Sequence, residues 1–537
     1  VRRRQRTIVE HHVRVDLDGG SLHGEGVSDE SPLPHQRRPY ARELQKLELA
    51  FMKAIVADPS WLSPHDESAV RWALSLARIS AVQVRPDEGD AAVVDIGHAT
   101  DQFRARLHSM LSPCIVGERV SRDGVRAQVG QIRLLVRNER AALLQLFGDR
   151  LPPAALDRAT RRRPLALVMG GGGGTGYVYI GALAVLDEAG IVPSLIAGTS
   201  MGALLGAFRA RTKHFSLGNV RQLLSRLSWK KVFRLFDTES RFGMPATLKL
   251  SLREVIGHEF LVGEGDDSTG TSGKLKKRYL RMHELAIPLR VTIAGLVDGE
   301  RAASSGDYAS LLTGVDDAMG LKRRSRSIAS ALNDITRQPA KALYVGGDPL
   351  TREFDVLDAV GFSASVPGII HYDILRDDPR MIELVETMMR KHGVSRLVDG
   401  GLVDNLPARE AWQAVQQGAV GDRDPFVLSL DAFAPQLTTR HLLFLPLMRR
   451  AAEMSRVGYE HSHVTVTFKG VLSPMSVVPT PSEFLRAVDN GRKEMAPHVA
   501  LIRKMIGPIP DPPGVLTDVE SASGPVPAAP PLAKPAP

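Results

Sequence analysis

Ser200 lies in Gly198-Thr-Ser200-Met-Gly202, and a run of bare glycines, Gly170 to Gly174 followed by Thr175 and Gly176, lies one helix earlier in the chain. A serine hydroxyl attacks a carbonyl once a base takes its proton, and backbone N–H groups can hold the oxyanion that results. Together the two segments therefore carry the minimum chemistry for acyl transfer. Glycines two before and two after the serine suit a tight strand-to-helix turn, and the helix dipole then points at the reacting group.

Three readings of the glycine run compete. Gly171, Gly173 and Gly176 satisfy the dinucleotide spacing G-x-G-x-x-G. That site also needs an acidic residue at the end of the second strand, where Gly198-Thr-Ser200 stands instead. A phosphate-binding P-loop fails because Tyr177 occupies the place of its lysine. An oxyanion hole formed by Gly171, Gly172 and Gly173 explains both segments with one reaction.

Two sets of partners for Ser200 follow from the chain. Asp399, in Asp399-Gly-Gly401 after the apolar run Arg396-Leu-Val398, is placed at the C-terminal edge of the sheet, where burial would raise its pKa and make it a better base. The rival is a triad in α/β-hydrolase order, with Asp431 at the end of another strand and His461 or His463 beyond it.

These residues need elements to hold them. Leu165–Met169 and Ser194–Ala197 read as buried strands around a helix from Tyr177 to Ala189, a right-handed crossover that brings the glycine loop and Ser200 to the same sheet edge. Further strands are predicted at Leu289–Leu296, Arg396–Val398, Phe426–Leu430 and Val464–Phe468, and helices at Leu447–Tyr459 and Pro481–Ile506. Residues 214–285 carry apolar helical spacing over Phe215–Phe236 and Leu248–Phe260, and read either as a lid or lipid-facing surface or as ordinary core helices. Residues 263–273 and 301–340 read as polar insertions. Before all this, Leu44, Leu47, Phe51 and Ile55 open an all-helical region over 41–160. Residues 1–40 are expected to be a disordered basic arm, 161–507 the α/β domain and 508–537 a proline-rich disordered tail.

Composition bounds the function. The chain has 537 residues with 43% hydrophobic and 24% charged, enough for one large core with appendages. Cys114 is the single cysteine, so there is neither an intramolecular disulfide nor a thiolate metal cluster, which fits a reducing, cytoplasmic setting. No apolar core of a signal peptide follows the basic residues at positions 2–6. The long uncharged run from Pro164 to Leu186 is interrupted by its glycines and is read as strand, loop and helix, not as a membrane span. The net charge of +9 is a modest excess. Its denser clusters, Lys274, Lys276, Lys277 and Arg278, then Lys322, Arg323 and Arg324, suit peripheral contact with an anionic membrane. Aromatics at 5% and the lack of binding motifs exclude nucleic acid as the expected partner.

Three blocks in order, Gly171-Gly-Gly-Gly-Thr-Gly176, Gly198-Thr-Ser-Met-Gly202 and Asp399-Gly-Gly401 with Asn405 and Pro407, resemble the patatin-like phospholipases, a family of serine lipid acyl hydrolases. Ile287-Pro-Leu289 and Ala364-Ser-Val-Pro-Gly368 support the resemblance, which covers roughly residues 164–433. It implies a three-layer α/β/α domain with a mostly parallel sheet. It also implies a Ser200/Asp399 dyad, an oxyanion hole at Gly171–Gly173, and hydrolysis of acyl lipid esters without a metal or cofactor. Thr175 departs from the family, which usually carries arginine or lysine there. A patatin fold with weakened catalysis, serving lipid binding or regulation, is the non-enzymatic alternative.

Overall fold

The computed structural model describes residues 38–516 apart from 117–118, 219, 221, 223–227, 236–239, 265–275, 298–337, 376 and 434–444. The expected arm up to residue 37, most of both insertions and the tail beyond 516 lie outside the described residues.

A 7-stranded sheet organises the molecule. Its strands are β1 (Leu165–Met169), β2 (Leu195–Thr199), β3 (Leu289–Leu296), β4 (Ala340–Val345), β5 (Arg396–Asp399), β6 (Phe426–Asp431) and β7 (Val464–Thr467). Their order is β4-β3-β2-β1-β6-β7, with β5 also on β3. The pairs β3/β2, β2/β1, β1/β6 and β6/β7 are parallel, whereas β4 and β5 run antiparallel to β3. The central strands are buried along their whole length because both faces are covered. Ala166, Val168, Leu195, Ala197 and Val427 pack with Trp412 and its helix on one face. Leu165, Leu167, Met169, Ile196, Leu428 and Leu430 belong to the larger cluster on the other. This alternation makes the fold a three-layer α/β/α sandwich.

The helices that matter for the site are α1 (Val178–Glu188), α2 (Met201–Ala210), α3 (Val356–Ser363), α4 (Ala408–Gln416), α5 (Leu445–Tyr459) and α6 (Pro481–Met495). Helices α1 and α6 approach until backbones touch. A methyl group on Gly181 would fall on the Val488 carbonyl oxygen, and one on Gly491 on that of Val178. The uncharged run at 164–186 is thus β1, the glycine loop and most of α1, and no helix among the described residues is long and apolar enough to cross a membrane.

Residues 214–285 differ from their helical expectation. Phe233–Leu235, Ala246–Leu250 and Gly368–His371 form a separate 3-stranded sheet, and helix persists there only in short pieces such as Trp229–Val232 and Leu252–Ile256. The apolar residues there are too few per segment for periodicity to separate strand from helix. The region over 41–160 contains helices at Ala41–Ala57, Pro64–Arg78, Asp101–Leu111, Arg122–Phe147 and Pro153–Arg161. It also contains two short antiparallel strand pairs, Ala81–Val84 with Ala92–Asp95 and Ile115–Val116 with Arg119–Val120. Buried charges tie this region to the sheet. Arg163 reaches Glu48 at 3.2 Å and donates to the Pro425 carbonyl at 3.1 Å, while Arg78 bridges Glu48 and Asp424.

Candidate active site

Strand β2 ends in a turn that only particular residues can make. Ser200 has φ 53° and ψ −121°, a left-handed conformation costly for a residue with a Cβ. Gly198 and Gly202 make it feasible. A Cβ on Gly198 would stand 2.8 Å from the Ala203 backbone, and one on Gly202 would strike the Met169 carbonyl. The Ser200 N–H donates to Ser363 Oγ at 2.8 Å, and Ser363 Oγ donates onward to the Thr292 carbonyl at 2.6 Å. One hydroxyl at the end of α3 thus pins the turn to β3. Replacing it by Ser363→Ala leaves a buried donor and a buried acceptor unpaired and should cost about 1–3 kcal/mol, read as a lower midpoint of chemical denaturation.

Asp399 reaches Ser200 by a route that the sequence reading did not foresee. Expected at the C-terminal edge of the sheet beside Ser200, it stands at the end of β5, a strand antiparallel to β3. On β3, Thr292 pairs with Thr199 and the next residue, Ile293, pairs with Asp399. Strands β2 and β5 therefore lie end to end along one edge of β3, with their C-termini meeting. The Ser200 hydroxyl lies close enough to the Asp399 carboxylate to lower its pKa, and Asp399 Oδ1 accepts the Gly401 N–H at 2.8 Å. Burial pushes the Asp399 pKa up to about 6, against the lowering effect of the Ser200 hydroxyl and the Gly401 N–H. A carboxylate so placed is ionised at neutral pH and basic enough to take a hydroxyl proton.

The glycine loop stands beside Ser200 because β1 and β2 are neighbours, with Met169 level with Gly198. Of the three glycines expected to supply donors, Gly171 is corrected: its N–H is engaged by the Asn405 carbonyl at 3.2 Å. Gly170 and Gly174 donate to Leu430 and Pro474. The N–H groups of Gly172 and Gly173 have no acceptor among the described residues, and both glycines line the cavity with Ser200. Thr175, the departure from the family pattern, donates its hydroxyl to the Gly172 carbonyl at 2.9 Å. In a trans peptide the C=O and the following N–H point in opposite directions, so this bond turns the Gly173 N–H away from Thr175. Asn405 completes the support, with its side-chain amide held by Ser455 on α5 at 2.8 Å. Ser363 and the Asn405 carbonyl carry no signal in sequence, since both act through hydrogen bonds made only in the fold.

The rival triad is not assembled. The Asp431 carboxylate accepts the Tyr459 hydroxyl and the Phe433 N–H. His463 precedes β7 at the opposite end of the sheet, accepting the Val427 N–H at 3.0 Å and stacked on Trp412. Val427 is level with Ala166 and hence with Leu195, five residues back from Ser200 along β2, or about 16 Å. His461 is buried there too, which lowers its pKa to about 4, helped by Arg409 and Arg42.

Ser200 and Asp399 open into a cavity of about 230 Å³ with apolar walls that include Leu204, Leu250, Val360 and Ile370. The 3-stranded sheet that replaced the expected helices forms part of that wall.

A strained serine turn, an aspartate beside it and a glycine loop thus stand together at one edge of a mostly parallel sheet. Residues 167–412, a little under half of the chain, match the patatin-like phospholipase family. Among curated proteins the chain is similar to patatin-like phospholipase domain-containing protein 6 of Homo sapiens, 43% identical over 61 residues, or 11% of this chain and 4% of that protein. It is also similar to lysophospholipase nte1 of Aspergillus fumigatus, 47% identical over 49 residues, 9% of this chain and 3% of that protein. A longer match, to lysophospholipase nte1 of Emericella nidulans, is 35% identical over 98 residues, 18% of this chain and 6% of that protein. The chain thus aligns with only a small part of the length of these relatives.

Proposed function

We propose that this protein is a lipid acyl hydrolase that cleaves carboxylic esters through a Ser200/Asp399 dyad. The observation that carries the reading is the meeting of these two side chains on β3 at the floor of an apolar cavity. Asp399 takes the hydroxyl proton as Ser200 Oγ adds to the ester carbonyl. The oxyanion is held by the N–H groups of Gly172 and Gly173. Collapse returns that proton to the departing alcohol and leaves the acyl group on Ser200. Water then gives its proton to Asp399, attacks the acyl carbonyl and releases the fatty acid, and the proton returns to Ser200.

The substrate is an acyl ester of membrane or storage lipid, and the naming of the fungal relatives makes lysophospholipids the first class to try. The protein works as a peripheral protein on an anionic membrane. Of the basic clusters expected to make that contact, only Lys277 and Arg278 have described side chains, and the Arg278 guanidinium is already engaged by Glu284.

The test is labelling by a fluorophosphonate probe alongside hydrolysis of a panel of lysophospholipids, diacyl phospholipids and triacylglycerols. Wild type should be labelled and should release fatty acid, and folded Ser200→Ala should do neither. Hydrolysis that persists in Ser200→Ala would overturn the assignment.

A further inference from the structure

The chain has four tryptophans, and three of them, Trp61, Trp72 and Trp412, are buried at 8%, 1% and 1% exposure. Trp229 is 47% exposed, yet it lines the same cavity as Ser200. Its indole therefore forms part of the cavity's rim, packed against Phe233 with ring centroids 4.5 Å apart. Met475, 42% exposed, is a second apolar rim residue. Both sit where water would otherwise meet an apolar mouth. Large exposed apolar groups around a concave site mark a surface that is covered during function.

The charges beside Trp229 say what covers it. Trp229 opens a one-turn helix, Trp229–Val232, whose Lys230 and Lys231 are exposed and make no ion pair among the described residues. Val232 is buried beneath them. The nearby carboxylate, Glu254, is already paired with Arg234. Two ammonium groups with no ion-pair partner among the described residues, next to an exposed indole, suit an anionic bilayer. Tryptophan favours the headgroup level, and lysine stems lie along apolar surface while their charges reach phosphate.

We propose that Trp229, Lys230, Lys231 and Met475 form a docking rim that seats the cavity mouth on an anionic phospholipid surface. Trp229 and Met475 enter the interfacial layer, and the two lysines hold lipid phosphates. A lipid then passes from the bilayer to Ser200 without its chain crossing water. The proposal rests on the reading of the cavity as an acyl-lipid site.

The test uses the full chain carrying Ser200→Ala, so that no lipid is consumed, with vesicles of phosphatidylcholine alone or of phosphatidylcholine mixed with anionic phosphatidylglycerol, whose surface potential attracts basic side chains. Because Trp229 is the exposed indole, its emission reports docking directly. The expected result is a blue shift with anionic vesicles and quenching by brominated acyl chains. The shift should vanish in Trp229→Phe, whose remaining indoles are buried. Lys230→Gln with Lys231→Gln should weaken vesicle binding about 30-fold. Failure to bind anionic vesicles overturns the proposal, as does binding in sedimentation with no change in Trp229 emission or no loss in the lysine variant. Fluorophosphonate labelling of wild type reads the hydrolase assignment separately. Labelling without docking overturns the rim alone, and docking without labelling overturns the dyad alone.

Discussion

Asp399→Asn should lower the rate of Ser200 labelling and ester hydrolysis by between about 10²- and 10⁴-fold, and should make the protein more stable at neutral pH. The first effect follows from removing the base of the proposed dyad while keeping its shape. Asparagine still accepts the Gly401 N–H but cannot take a proton from Ser200. The second follows from burial. The carboxyl of Asp399 titrates near pH 6 in the folded chain, above the 3.8 of an ordinary aspartate. A raised carboxyl pKa means that the folded state binds the proton more tightly than the unfolded state. Its contribution to stability is therefore fully present below about pH 4 and is lost as pH rises through about 6. Above that, the ionised group costs up to about 3 kcal/mol, and the variant should recover part of it. Denaturation midpoints at pH 7 and pH 4.5 check this, since the gain should shrink at the lower pH. Wild-type acylation should fall tenfold per pH unit below about 6. An active Asp399→Asn with an unchanged acid limb would remove Asp399 from the mechanism.

The second large effect concerns packing. Gly491→Val should destabilise the fold by about 3 kcal/mol or more, because its side chain would have to occupy the Val178 carbonyl oxygen across the α1–α6 contact. Rigid backbone lies on both sides, so the helices must separate. Helix α1 leads straight out of the glycine loop, so labelling of Ser200 should slow as well. Gly130→Ala is the comparator. It lies within the helix Arg122–Phe147 with nothing near its missing Cβ, and it should stabilise by about 0.5–1 kcal/mol. Equal midpoints for the two variants would show that α1 and α6 do not meet as described.

What could be read from the chain divides along physical lines. The strands of the central sheet are buried on both faces, so β1 stands out as a continuous apolar run, and β3 and β6 as apolar runs broken only by Arg290, Thr292 and Ser429 before the terminal Asp431. Ser200 stood out because a left-handed turn between close-packed backbones tolerates only small neighbours. The direction of β5 was not legible, because an isolated four-residue strand carries no mark of what it pairs with. The cavity wall was misread for the same reason. Leu248 and Leu250 belong to a short strand whose partners, Phe233–Leu235 and Gly368–His371, lie on either side of it in the chain. Engagement of the Gly171 N–H by Asn405 was hidden because it joins segments more than 200 residues apart, and nothing local requires it.

The end-to-end meeting of β2 and β5 on β3 separates two quantities that usually vary together, the length of chain between the reacting groups and the distance between them. Ser200 and Asp399 are set by consecutive rungs of one strand. Loops can grow or shrink anywhere between them without moving either atom. Tolerance to insertion is correspondingly wide, and tolerance to slippage is nil. A shift of β5 by one residue against β3 would turn the carboxylate to the opposite face of the sheet, leaving a folded protein with an intact serine and no base.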